Sequence, residues 1–110
     1  MRSKYGNKTV VLDGDVFDSK HELHRWLELK YMERAGLIKN LARQVPYELI
    51  PAQRKDGRVI ERACRYIADF AYQTKDGTEV VEDAKGYRTD VYKIKKKLML
   101  QKYGIEIQEV

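Results

Sequence analysis

The chain has 110 residues, a net charge of +5 and a single cysteine, Cys64, which suits one domain over residues 1–110 and excludes an internal disulfide or a cysteine-rich zinc site. No apolar run approaches the roughly 20 residues of a membrane span, and the N-terminus lacks the apolar centre of a signal peptide, so a cytoplasmic location is expected. The basic balance is compatible with a polyanionic partner, but a solvated basic surface explains it equally well.

The first third of the chain predicts a short strand and a helix. Residues 9–12 predict a short strand that ends at Asp13-Gly14-Asp15. Ser19 and Glu22 then have the spacing of a capping box, and Gly36 can end the helix. We therefore expect a helix at 19–35, whose apolar stripe consists of Leu23, Trp26, Leu27 and Tyr31.

Three strands follow the predicted helix. They are expected at 44–50, 59–73 and 79–85, separated by Lys-Asp-Gly turns at 55–57 and 75–77. The second strand is apolar on both faces, so it should lie inside the sheet. One predicted face holds Cys64, Tyr66, Ala68, Phe70 and Tyr72, and the other holds Ala63, Ile67, Asp69 and Ala71.

The last third predicts a second helix and a final strand. Thr89 can cap a helix at 90–102 that ends at Gly104, and residues 105–110 alternate as a strand. The spacing predicts a buried stripe of Val91, Ile94 and Leu98. The fold class is therefore α/β, with a mixed sheet flanked by helices in the order helix, three antiparallel strands, helix, strand.

The turn at 75–77 decides where two carboxylates lie. A three-residue loop ending in glycine places Asp69 opposite Asp83, with Lys85 on the same face, whereas a two-residue loop would oppose Asp69 to Ala84. Opposed carboxylates repel, and a divalent cation with oxygen ligands compensates them. The alternative is a solvent-exposed pair for which Lys85 provides the salt bridge.

Asp69, thirteen intervening residues and Asp83-Ala84-Lys85 resemble the PD-(D/E)xK nuclease superfamily. More narrowly, the chain is similar to small phage-encoded domains of that superfamily, some of which resolve branched DNA such as Holliday junctions. The resemblance covers nearly the whole chain and rests on residues 17–22, 44–47, 68–70, 82–86 and 103–105. It departs from the superfamily pattern at Ala68, where the name has proline, and at Asp83, where glutamate is commoner.

The resemblance implies a restriction-endonuclease-like core and a metal-dependent DNA endonuclease. Asp69 and Asp83 would bind Mg²⁺ or Mn²⁺ with the Ala84 carbonyl, and Lys85 would orient the attacking water. Glu22 would complete that site or help hold a second ion, although the capping box alone explains it equally well. Glu82 competes with Asp83 as the second acid, but strand alternation favours Asp83 because Glu82 points away from Lys85.

Other polar residues are candidates for contacts with DNA. Phosphate contacts are expected from Arg88, Lys93, Lys96 and Lys97 near the second helix, with Gln44 as a further polar contact. The same lysines also suit a solvated helix face. A symmetric homodimer would place two active sites on the two strands of a junction. The alternatives to an enzyme are a non-catalytic nucleic-acid-binding module of phage origin and a structural or assembly protein.

Overall fold

A computed structural model describes residues 9–84 and 88–110. Two helices and eight strands lie in this part of the chain, and none of these helices has the length and apolar composition needed to cross a membrane. In chain order the elements are β1 (Val10–Leu12), β2 (Asp15–Phe17), α1 (Lys20–Arg34), β3 (Ile38–Ile50), β4 (Gln53–Lys55), β5 (Arg58–Glu61), β6 (Cys64–Thr74), β7 (Glu79–Asp83), α2 (Asp90–Tyr103) and β8 (Gln108–Glu109).

The central sheet is mixed and has the strand order β3-β6-β7-β8. The pairs β3/β6 and β6/β7 are antiparallel, whereas β7 and β8 are parallel. The α2 helix supplies the crossover that a parallel pair requires. The predicted α/β class and the predicted order of the main helices and strands are confirmed.

Both helices begin at the predicted caps. The Ser19 hydroxyl accepts a hydrogen bond from the Glu22 amide at 3.2 Å, and the Thr89 hydroxyl accepts one from the Tyr92 amide at 3.0 Å. These bonds satisfy amides that have no partner within the helix. The second helix ends at Gly104, whose φ of 67° suits a residue without a side chain.

The β6–β7 hairpin has the predicted three-residue loop. The Thr74 amide donates to the Thr78 carbonyl at 2.9 Å, and Gly77 has a φ of 89°. The ladder pairs Gln73 with Glu79 and continues to Phe70 and Glu82. One further step of this register places Asp69 opposite Asp83, as the loop length predicts.

Two hydrophobic clusters cover the two faces of the sheet. The α1 cluster is formed by Leu29, Ile38, Phe70, Tyr72 and Ala84, and Trp26 and Met32 pack against it. The α2 cluster is formed by Leu49, Tyr66, Ala68, Ala71, Val81, Met99 and Ile107. Strand β6 contributes to both clusters and lies between β3 and β7, which confirms that it is an internal strand covered on both sides.

Two predictions about the strand at 59–73 are wrong. The predicted strand is interrupted at residues 62–63. Its first part, Arg58–Glu61, pairs with Gln53–Lys55 in a separate hairpin. The five residues predicted on one face also divide between the clusters. Tyr66 and Ala68 belong to the α2 cluster, against which Cys64 packs, whereas Phe70 and Tyr72 belong to the α1 cluster. Regular alternation therefore fails between Ala68 and Phe70.

Other boundaries and faces also differ from the predictions. Strand β3 begins at Ile38 rather than at residue 44, and the ladder of β8 contains only Gln108–Glu109. Strand β2 was not predicted. The buried stripe of α2 is wrong, because Val91 and Ile94 are exposed, while Met99 is buried and Tyr92 and Leu98 pack against the core.

Candidate metal-binding site

Three buried carboxylates from three different elements are called the acidic cluster. Glu22 lies in the first turn of α1, Asp69 in the middle of β6 and Asp83 at the end of β7. Glu22 lies beside Asp69, and the β6–β7 register places Asp83 opposite Asp69. Their exposed fractions are 2%, 1% and 3%, so folding removes three ionisable groups from water, which is costly unless partners compensate it.

The two aspartates of the cluster hold defined hydrogen bonds. Asp69 Oδ2 accepts from the Ala84 amide at 2.7 Å, and Asp83 Oδ2 accepts from the Tyr66 hydroxyl at 2.8 Å. Burial, and then the Asp83 carboxylate, raise the pKa of Tyr66 far above its usual range. Tyr66 therefore remains a protonated donor at neutral pH.

The two oxygens of Glu22 have different surroundings. Oε1 accepts from the Asp18 amide at 2.8 Å, whereas Oε2 is buried and has no hydrogen-bond partner among the described residues. Burial, which contributes most, and the neighbouring Asp69 carboxylate together raise the pKa of Glu22 to about 7, against the opposing effect of the Asp18 bond. The capping and ligand interpretations therefore do not exclude each other, because each uses a different oxygen.

Glu82 lies on the opposite face of β7 and belongs to a separate network. Arg25 donates to both of its carboxylate oxygens, at 2.7 and 2.6 Å, and Tyr72 donates to one of them. These donors compensate the charge of a side chain that is only 2% exposed. Glu82 and Asp83 therefore have different partners on opposite faces of β7, as strand alternation predicts.

The backbone beside Asp69 is irregular. Gln44 has a φ of 53° within β3 and lies between the register pairs Arg43–Phe70 and Val45–Ala68, opposite Asp69. A left-handed non-glycine residue within a strand costs about 1–3 kcal/mol and is found most often at functional sites. This irregularity coincides with the change of face along β6, and it places the exposed Gln44 next to the acidic cluster.

The predicted DNA contacts divide into two groups. Arg88 and Lys96 lie 2.9 and 3.3 Å from a carboxylate oxygen of Glu109. Their hydrogen bonds, together with the Tyr92 hydroxyl, lower the pKa of Glu109 to about 2, with Arg88 contributing most. Lys93 and Lys97 are exposed and form no ion pair within the described residues, so these two remain available for phosphates.

The acidic cluster contains carboxylate oxygens, which are ligands that Mg²⁺ prefers. Within residues 9–84 and 88–110, no three acidic, histidine or cysteine side chains form a ready group of metal ligands. The buried Glu22 Oε2 is nevertheless an acceptor without a hydrogen-bond donor in that part of the chain. Lys85, the predicted catalytic lysine, lies outside the described residues.

Sequence reasoning missed three residues around these carboxylates. Tyr66 supports Asp83, while Arg25 and Tyr72 hold Glu82. A buried tyrosine usually needs a partner for its hydroxyl, so the tyrosines of the apolar strand were a usable signal. The identity of each partner could not be predicted from the sequence, because the Arg25–Glu82 contact, for example, spans 57 residues.

Comparison with known proteins places the chain in one family. The family described as "Protein of unknown function (DUF1064)" matches residues 2–109. Neither the curated proteins nor the solved structures contain a significant match. Because the family match covers almost the entire sequence, the chain belongs to the DUF1064 family.

Proposed function

We propose that the protein is a metal-dependent DNA endonuclease that hydrolyses phosphodiester bonds. The observation that supports this most is a chain of neighbouring buried acids: Glu22 lies beside Asp69, and the β6–β7 register places Asp83 opposite Asp69. Glu82 shows how this chain stabilises a carboxylate for structural purposes, with an arginine and a hydroxyl. Glu22 has no such compensation for its second oxygen within the described residues.

The acidic cluster suits Mg²⁺ or Mn²⁺. Asp69, Asp83 and the Ala84 carbonyl would hold the ion, and Glu22 would complete its ligands. Such an ion, when bound, stabilises charge on phosphoryl oxygens and lowers the pKa of bound water. The Tyr66 hydroxyl and the Ala84 amide fix the orientation of the two aspartates. Lys85 follows the cluster directly in sequence and would orient the attacking water or offset phosphate charge.

The proposal extends to DNA binding by α2. The exposed Lys93 and Lys97 would contact phosphates, and that contribution should decrease with salt. Branched recombination intermediates are the proposed substrate class, and a homodimer would place one site on each of two strands. The branched substrate and the homodimer rest on the resemblance to the nuclease superfamily.

A cleavage assay tests the proposal. The protein with Mg²⁺ should cut DNA when linear, single-stranded, flapped and four-way substrates are compared, with the highest rate on branched forms. Lys85→Ala and Asp83→Asn should abolish cutting while circular dichroism remains unchanged. Glu79→Gln is a matched control, because Glu79 is an exposed acid on the same strand and contacts Tyr47. Equal activity of the parent and Lys85→Ala would defeat the proposal.

A non-catalytic nucleic-acid-binding module is the second candidate, since exposed lysines serve that function as well. Thermal unfolding with and without Mg²⁺ separates the two. A ligand that binds only the folded state stabilises it by about 1.4 kcal/mol at ten times its Kd. An endonuclease should show this stabilisation in the parent and lose it in Asp83→Asn, whereas a binding module should show none in either protein.

A further inference from the structure

Within residues 9–84 and 88–110, the strands of the β4–β5 hairpin pair only with each other, and the hairpin belongs to neither hydrophobic cluster. Every residue from 51 to 62 is exposed. A solitary two-stranded ribbon is marginally stable in water. This segment therefore contributes little to the core, and its conformation needs another explanation.

The hairpin is nevertheless regular. Asp56 and Gly57 form a two-residue turn with φ values of 53° and 77°, flanked by the pair Lys55–Arg58. Two positive φ angles are typical of the type I′ turn, whose twist matches that of the adjoining strands. The sequence thus specifies a ribbon of defined shape rather than an open loop.

The surface of the hairpin is basic, with an apolar part. Residues 53–62 contain four cations and two acids, a net charge of +2. None of the four cations forms an ion pair within the described residues, in contrast to Arg88 and Lys96. The cations are Arg54, Lys55, Arg58 and Arg62. Val59 and Ile60, which are 47% and 56% exposed, lie among them.

The position of the hairpin relates it to the acidic cluster. Strand β7 opposes β6 only from Phe70 to Gln73 in the paired ladder, whereas residues 64–68 continue beyond it beside β3. The hairpin projects from that end of the sheet, past Asp69 and Asp83. Five residues separate Cys64 from Asp69, so the base of the hairpin lies about 17 Å along the strand from the cluster.

We propose that the β4–β5 hairpin lies in the major groove of double-stranded DNA and anchors the substrate beside the acidic cluster. The major groove is about 12 Å wide and admits a two-stranded ribbon. Arg54, Lys55 and Arg58 contact phosphates on both sides of the groove, because Arg54 and the Lys55–Arg58 pair lie on opposite faces of the ribbon. Val59 and Ile60 supply apolar contacts to base edges.

This inference rests on the proposed action on DNA, but its test does not require cleavage. Binding of a labelled 20-base-pair duplex is measured by fluorescence anisotropy in EDTA over a range of salt concentrations. The triple variant R54Q/K55Q/R58Q should bind roughly tenfold or more weakly, and its slope of log affinity against log salt should be smaller by about 2–3, since each phosphate contact contributes about 0.9.

A charge-matched control separates local contacts from net charge. R34Q/K39Q/K75Q removes three exposed cations near the opposite end of the sheet, where Lys39 pairs with Gln73. It should change the slope by less than about one. V59T/I60T should weaken binding without changing the slope, because it removes apolar contacts only. Circular dichroism and the Tm establish that each variant is folded.

The outcomes distinguish this inference from the proposed function. Equal effects of the two triple variants, or no duplex binding by the parent, would overturn the role of the hairpin. A dimeric parent that becomes monomeric in R54Q/K55Q/R58Q would assign the hairpin to protein contacts instead, and would also overturn it. Loss of binding in R54Q/K55Q/R58Q alone supports it, even if the parent cuts no DNA. Cleavage that persists with unchanged binding in that variant leaves the nuclease proposal intact and removes this one.

Discussion

Glu22 and Glu82 are two glutamates of equal burial, each 2% exposed, in opposite electrostatic situations. Glu82 receives two hydrogen bonds from Arg25 and one from Tyr72. Glu22 receives one from the Asp18 amide, and its other oxygen has no hydrogen-bond partner in the described part of the chain. Burial alone therefore does not distinguish the two glutamates, whereas the number of hydrogen-bond donors to each carboxylate does.

The comparison predicts opposite effects of mutation at the two sites. Removal of a donor should destabilise the fold around Glu82, because an uncompensated charge would remain buried. Removal of the charge itself should stabilise the fold around Glu22, because that carboxylate is already poorly compensated. The charged form of Glu22 is thus expected to destabilise the fold, whereas the Arg25–Glu82 pair is expected to stabilise it. A destabilising charge of this kind is typical of functional sites.

The largest effect is expected for Arg25→Met. This change keeps the aliphatic contacts of the side chain but leaves the Glu82 carboxylate with Tyr72 as its remaining donor within the described residues. Breaking a buried pair in this way costs about 3–5 kcal/mol. Urea denaturation at pH 7 measures the loss. We expect the low end of that range, because the Arg25 side chain retains 23% exposure.

Glu28→Gln is the matched control for this loss. Glu28 is the exposed partner of Arg25, at 3.7 Å, and its removal should change the unfolding free energy by less than about 1 kcal/mol. If Arg25→Met cost no more than Glu28→Gln, the Arg25–Glu82 network would not be structural, and the contrast between the two glutamates would disappear.

An intermediate effect is expected from Glu22 and depends on pH. Its pKa rises from 4.5 in the unfolded chain to about 7 in the fold, which corresponds to about 3 kcal/mol. The folded state holds the proton to higher pH, so the stability of the metal-free protein should be greatest below about pH 4.5 and should decrease up to about pH 7 as far as this group is concerned. Glu22→Gln should remove that decrease and be more stable than the parent at pH 8.

Urea denaturation in EDTA between pH 4.5 and 8 measures this dependence. Glutamine retains an acceptor for the Asp18 amide, so the helix cap is preserved in the variant. Glu28→Gln, on the same helix, should follow the pH profile of the parent. A stability difference between Glu22→Gln and the parent that is constant with pH would show that Glu22 does not titrate in this range, and would remove the contrast with Glu82.

The part of the site that local geometry determines could be predicted from the sequence. The loop at 75–77 has three residues and ends in Gly77, and this length determines which residues of β6 and β7 oppose each other. The opposition of Asp69 and Asp83 follows from that register, and the separation of Glu82 from Asp83 follows from strand alternation. The helix caps at Ser19 and Thr89 are equally local.

The missed features depend on contacts between distant segments. Helix α2 offers two apolar stripes at helical spacing. The stripe with Tyr92 packs against the core, and the Tyr92 hydroxyl donates to Glu109, 17 residues away. The hydrogen-bond partners of Asp83 and Glu82 also come from distant segments, 17 and 57 residues away in sequence. The hairpin was misread because Val59 and Ile60 look like a buried strand, although they are exposed. Pattern alone does not report what covers an apolar residue.

The smallest effect, and the sharpest comparison, is expected from two tyrosines. Tyr66 donates to Asp83 in the acidic cluster, and Tyr72 donates to Glu82 on the other face of the same strand. Tyr66→Phe and Tyr72→Phe each remove one hydroxyl and should each cost about 1–2 kcal/mol by urea denaturation. Their effects on cleavage should differ, since only Tyr66 orients a proposed ligand: Tyr66→Phe should lower kcat, whereas Tyr72→Phe should leave kcat unchanged. Equal losses of kcat would mean that both hydroxyls act through general stability, because the Tyr72 hydroxyl bonds to Glu82 and to none of the three cluster acids among the described residues.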